Sequence, residues 1–185
     1  MRSGKGGRRE VDRRLQRVAG VAFEMLTKAR RLLARPVVEL DGIIKRDQRN
    51  IDALLLKGNL LEIYFSSFRE MHDEARKCQE AVLAFSPNNV SALTDIGDWY
   101  AVDGQYRRAL KFYDAALRHL RKGTIDRSSK PKLEAVYIGK AGALRDWNRM
   151  SAARRVAREG LRYCPTSTIL RAWSRRSGIR KSSEG

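Results

Sequence analysis

The chain has 185 residues and a formal net charge of +18, with 42% hydrophobic and 32% charged residues. That is enough apolar content for a core and enough length for one domain or one short repeat array, which excludes wholesale disorder. The two cysteines and two histidines lie far apart, which excludes a disulfide framework and a four-ligand zinc site. Cys78 and Cys164 are expected to be reduced thiols acting as small apolar residues in a cytosol-like compartment, so the expected localisation is cytoplasmic.

Residues 1–9, "MRSGKGGRR", read as a disordered basic tail. Its glycines do not form G-x-x-x-x-G-K-[ST], and no strand precedes them. From Glu10 the apolar residues Val11, Leu15, Val18, Ala22 and Ala29 follow three- and four-residue steps, and arginines fill much of the rest. The spacing predicts an amphipathic basic helix over 10–35 that ends near Pro36 and docks its apolar face on a neighbouring helix. The most apolar stretch, Val18 to Leu26, is interrupted by Glu24 and is too short to span a membrane. Neither stable membrane insertion nor a secretory signal is expected, and Glu10 and Asp12 speak against a transit peptide.

Three segments then read as helical: "NIDALLLKGNLLEIYF" at Asn50, "NVSALTDIGDWYAVDG" at Asn89 and "LEAVYIGKAGALRDW" at Leu133. The first two open on Asn-x-x-Ala-Leu, with Asn as the helix cap. Each is followed by a second helical segment, and two of those close on Pro, which cannot continue a helix. The units are expected at 51–88, 89–132 and 133–166, after a partial unit at 36–50, and together they make up a repeat region over 36–165. Gly97 is expected to face Ala109 across the crossing point of an antiparallel pair, and Ala141 and Ala153 to repeat that spacing. The polar stretch "RKGTIDRSSKP" at 121–131 reads as an exposed loop or helix extension. Residues 166–178, opened by Ser167, carry Ile169, Leu170 and Trp173 on one face and read as a capping helix. Residues 179–185 read as a basic tail.

This phrase resembles the tetratricopeptide repeat, whose pattern runs W-x2-L-G-x2-Y, A-x3-F, P. In the central unit Leu93, Ile96, Gly97, Tyr100, Ala109 and Tyr113 match it in order, with Leu93 in place of the aromatic. In the third, Tyr137, Ala141, Leu144, Ala153, Ala157 and Pro165 match. In the first, Leu54, Gly58, Leu61, Ala75 and Pro87 match once about five residues are inserted before Ala75. The resemblance implies an all-α, right-handed α-solenoid of about three helix–turn–helix units, with an N-terminal amphipathic helix and a C-terminal capping helix.

It also implies a binding module. The first helix of each unit in such superhelices lines a concave groove, which by helical spacing here shows Asp52, Leu55, Asn59 and Glu62; Ser91, Thr94, Asp98 and Val102; and Ala135, Ile138, Gly142 and Asp146. That lining is apolar to mildly acidic and suits a neutral or basic peptide or protein partner. Members that grip a C-terminal carboxylate use a Lys/Arg/Asn clamp, of which Asn59 alone stands at a matching place, while Asp95, Ala135 and Gly139 replace the rest. Residues for nucleophilic, acid–base or metal chemistry do not converge anywhere. The chain is therefore expected to be non-enzymatic, with no cofactor and no metal.

The charge is uneven: residues 1–35 carry +8, 36–125 zero and 126–185 +10. Basic ends suggest an acidic partner, a nucleic acid or the ribosome, as the alternative reading. The candidate residues are Arg154, Arg158 and Arg162, four apart on one helix, with Arg155 beside them, then Arg175, Arg176 and Arg180. Tyr163 and Trp173 lie nearby for base stacking, although Trp173 is first the apolar anchor of the capping helix.

Overall fold

The computed structural model describes residues 16, 20, 24, 27–28, 31–32, 34–65, 69–123 and 125–175. The expected N-terminal tail, much of the basic helix over 10–35, and Arg176 and Arg180 lie outside them. Among the described residues the chain is all-helical and no strand occurs. The elements are α1 (34–46), α2 (Ile51–Phe65), α3 (Arg69–Phe85), α4 (Val90–Val102), α5 (Tyr106–Lys122), α6 (Ser129–Asp146), α7 (Met150–Tyr163) and α8 (Thr168–Ser174).

From α2 onward each helix packs on the next, and α4 additionally packs on α6, and α6 on α8. This arrangement explains two kinds of helix in the sequence. α5 buries Ala109, Tyr113, Ala116 and Leu117, and α7 buries Ala153, Val156, Ala157 and Gly160. Both sets are one narrow stripe at helical spacing, with charge on the rest of the surface. α4 and α6 are covered from several sides, so their buried residues spread around the helix and include neighbouring positions such as Ala92, Leu93 and Thr94, or Val136 and Tyr137.

The turns repeat. At three exits the backbone makes the same pair of hydrogen bonds, from Asp47 and Asn50, from Ser86 and Asn89, and from Cys164 and Ser167. In each, the last residue caps the next helix, where Asn50 Oδ1 accepts from Ala53 N at 3.0 Å, Asn89 Oδ1 from Ala92 N at 3.1 Å and Ser167 Oγ from Leu170 N at 3.3 Å. The turns inside the pairs also repeat, with Gly104 at φ +74° and Asn148 at φ +57°. Both positions need the left-handed region, which Gly adopts freely and Asn tolerates. The exit after α5 differs. There α5 runs on to Lys122 and α6 begins at Ser129, four residues before the expected Leu133, with Pro131 in its first turn. Asp126 Oδ1 accepts from the backbone of Ser128 and Ser129, and these hydrogen bonds with those of the serine hydroxyls hold its carboxyl down at about 2.

The atoms nearest to a Cβ built on Gly97 belong to Tyr113, one turn after the expected Ala109. A Cβ on Gly97 would lie 2.8 Å from Cε1 of Tyr113, and one on Gly139 of α6 would lie 2.7 Å from the same atom. The two glycines leave room for a ring that is 0% exposed. Gly97 and Gly139, both on first helices, therefore make room for the largest buried side chain of α5. Gly58 does the same for the fully buried Gln79, which stands 21 residues on rather than 16 because the α2–α3 connection is longer. Gly160 receives Tyr137 and Leu170.

Lys57 is a buried cation, 7% exposed, that ties α1, α2 and α3 together. Its Nζ donates to Asp41 at 2.5 Å and to Glu74 at 2.6 Å. Burial pulls the ammonium down, but these two hydrogen bonds raise it above the ordinary Lys value. Cys78 and Cys164 are both buried free thiols.

Candidate functional site

Acidic residues of α2 and α4 come together on one face, beside α6, which packs on α4. Asp95 and Asp98 sit one turn apart on α4, and Glu62 reaches them from the last turn of α2. Burial, then the charges of Glu62 and Asp98, push the Asp95 carboxyl up to about 7. Its Oδ2 is buried with no hydrogen-bond partner among the described residues. Burial also raises Glu62, with Asp98 adding to the rise and His72 opposing it. Asp98 is exposed on one side, but its Oδ1 accepts from Tyr113 Oη at 2.5 Å and lies against the backbone of Gly139. Lost hydration raises Asp98, and the Tyr113 hydrogen bond opposes that rise. Three carboxylates crowd together here, and each is harder to ionise than in water.

Of the expected groove residues, Glu62 and Asp98 come together, and Asp95 joins them. Asp95 was legible as the residue three before Asp98 on the same helix. Asp52, Asn59 and Val102 are exposed, Val102 at 83%, and Leu55 and Ile138 are half-buried. Ser91 is half-buried; Thr94 is buried and donates to the Val90 carbonyl at 2.7 Å. Asp146 pairs with its own neighbour, Arg145, at 3.1 Å. Gly142 is covered: Trp173 of α8 comes within 3.5 Å of where its Cβ would be, and Arg145 lies 4.7 Å over that indole. The carboxylates, the bare backbone of Gly139 and the Trp173 edge are an electronegative surface beside an aromatic one. Such a surface fits a cationic or neutral chain better than an anionic one.

The expected arginine stripe divides. Arg155, Arg158 and Arg162 line one open recess together with Glu159. Arg154, whose carbonyl accepts from Arg158 Nε at 3.4 Å, instead lines a smaller pocket with Trp173, Arg145 and Arg175. Helical geometry accounts for the split, because four-residue steps drift around the axis and residues 155, 158 and 162 stay closer to one line. Tyr163 is stacked on Tyr137 at 5.9 Å and Arg121 lies over both rings, so its face is taken. Arg121 also hydrogen-bonds Tyr137 and pairs with Glu159. Burial raises the Tyr137 hydroxyl to about 12, with the Arg121 hydrogen bond pulling the other way.

No group of His, Cys, Asp or Glu among the described residues has the arrangement to hold a metal ion, and no helix among them is long and apolar enough to cross a membrane. Compared with known proteins, the chain matches no protein-family model and no curated protein.

Proposed function

We propose that the chain is a non-enzymatic adaptor built as a tetratricopeptide-like α-solenoid, which binds a neutral or basic peptide segment of a partner protein on the face made by α2, α4 and α6. The observation that supports this most is the recurrence of the turns: three exits with the same hydrogen bonds and the same side-chain cap, and two internal turns with the same left-handed residue. Recurrent turns are what a stack of equivalent helix pairs requires, and such stacks offer a long continuous face rather than a closed pocket. The sign of the partner follows from Glu62, Asp95 and Asp98. Their mutual repulsion and burial are relieved when a Lys or Arg side chain arrives, and Asp95 Oδ2 then gains the hydrogen bond it lacks. The cytoplasm suits an adaptor with two buried free thiols.

The test is affinity capture from nuclease-treated extract with the parent and a Glu62→Gln, Asp95→Asn, Asp98→Asn variant. The amide at position 98 keeps an acceptor for Tyr113. Partners held by the parent and lost in the variant support the reading. An identical set in both removes the acidic face from the account.

A further inference from the structure

The repeated internal turns stack at one end of the helix array, and the stacking builds a feature unrelated to the acidic face. Tyr106, the first residue of α5, lies nearly parallel to Trp147 of the α6–α7 turn, with 6.0 Å between ring centroids and 21° between planes. The guanidiniums of Arg149 and Arg107 lie over Trp147 at 5.0 and 5.9 Å. Arg108 borders the same place and donates to Gln105 Oε1 at 2.7 Å. Arg107, Arg108 and Arg149 are all exposed, and none forms an ion pair with a carboxylate among the described residues. Between them opens a recess of about 340 Å³ lined by Gly104, Gln105, Tyr106, Arg107, Arg108 and Trp147.

The recess continues into a basic strip. α5 carries six Lys or Arg against one Asp, and α7 four Arg against one Glu, whereas α4 carries two Asp and no cation. Long side chains bridge from α5 to the next helix pair: Arg107 at its start meets Trp147 of the α6–α7 turn, and Arg121 near its end meets Glu159 of α7. At 1.5 Å per residue α5 is roughly 25 Å long. Along that length the strip leads to the second recess, at Arg155, Arg158 and Arg162. The charge is thus divided between neighbouring helices, with the acids of α4 on one and the bases of α5 and α7 on the others.

We propose that the Tyr106–Trp147 recess and the α5–α7 strip together bind single-stranded nucleic acid. A base displaces a guanidinium from the indole face of Trp147, and the freed arginines turn to the flanking phosphates, whose planar oxygen pairs suit their fork. A duplex keeps its bases stacked and cannot make that contact. A lipid surface calls for an apolar rim, and the rim here is Gln105 and arginines. This site is independent of the peptide-binding face.

The experiment is fluorescence anisotropy of a labelled 15-nucleotide oligouridylate with the full chain at two salt concentrations. Binding in the ~10⁻⁴ to 10⁻⁶ M range is expected. Arg107→Ala with Arg149→Ala should weaken it about 10-fold and flatten the log–log salt slope by about 1.4, at about 0.7 for each phosphate no longer neutralised. Lys45→Ala with Lys77→Ala, which removes the same charge from exposed positions on α1 and α3, should leave affinity within about twofold. Trp147→Leu should cost roughly 5- to 150-fold, the equivalent of a stacked base, while Trp147→Phe retains most of the affinity. Equal losses in the two charge variants would overturn the site, and so would a duplex of the same sequence that binds as tightly. Full displacement by uridine monophosphate at matched nucleotide concentration would make it a free-nucleotide pocket instead. Displacement by polyglutamate at matched charge, or binding only to anionic vesicles, would likewise refute the assignment.

Discussion

Tyr113 is held between two glycines, and that clamp makes a sharp test of the packing. In Gly97→Ala the new methyl carbon would stand 2.8 Å from Cε1 and 3.1 Å from Cδ1 and Cζ of the ring. The ring has little freedom to move, because it is 0% exposed and its hydroxyl is anchored on Asp98 at 2.5 Å. Overpacking of this kind costs about 1–3 kcal/mol. Helix propensity offsets this, since Ala is better than Gly by about 0.8–1.0 kcal/mol. The net expectation is a loss of up to about 2 kcal/mol, or up to roughly 8 °C in melting temperature for a chain of this size. Gly42→Ala supplies the control: it is also helical, but a Cβ there meets nothing within 4 Å, so propensity alone should stabilise it by about 0.5–1 kcal/mol. The assay is urea unfolding followed by circular dichroism, with Tyr113→Leu as the second arm of a double-mutant cycle. Without the outer ring atoms, Gly97→Ala should become nearly neutral, a coupling of at least about 1 kcal/mol. If Gly97→Ala stabilises the chain as much as Gly42→Ala does, the clamp is refuted.

Other outcomes follow from the same physics. Asp95 is held protonated in the folded chain up to about pH 7, while in the unfolded chain it ionises near 3.9. Its contribution to stability is therefore fully present below about pH 4 and is lost as pH rises to about 7. Asp95→Asn should match the parent at pH 4 and be more stable by about 1–3 kcal/mol at pH 8, measured by denaturant titration at both pH values. Lys57→Met should cost about 1–2 kcal/mol in the same titration, less than a fully buried pair, because Asp41 and Glu74 are 51% and 43% exposed and water can take them up. Asn148→Gly should raise the melting temperature, worth up to about 1 kcal/mol at its φ of +57°, and Gly104→Ala should lower it by a similar amount.

The exits of the helix pairs were legible because their chemistry is local. Asn50, Asn89 and Ser167 announce a cap from sequence alone, since the bond each makes spans only three residues. Gly97 was legible as a point of close approach but its partner was not. Twelve-residue spacing offers Ala109 and sixteen-residue spacing offers Tyr113, and both stand on the same buried face of α5, so spacing names the face and not the residue nearest to the glycine. Tertiary packing decided the rest of the site as well. Gly142 reads as open groove in the sequence, but Trp173 of α8 covers it, and Arg154 reads as one stripe with Arg158 and Arg162, but it lines a pocket beside Trp173 of α8. The stacking of Tyr106 on Trp147 joins residues 41 apart whose only shared signal is that each stands within two residues of a left-handed turn residue.

The acidic face is tested most directly by selecting peptides from a random display library on the nuclease-treated chain and mapping one of them by NMR. Selected peptides should be rich in Lys and Arg, should shift the amides of Asp95, Asp98, Ile138 and Gly139, and should lose affinity at least tenfold in the Glu62→Gln, Asp95→Asn, Asp98→Asn variant. Acidic selected peptides, or shifts confined to α5 and α7 with affinity unchanged in that variant, would contradict it.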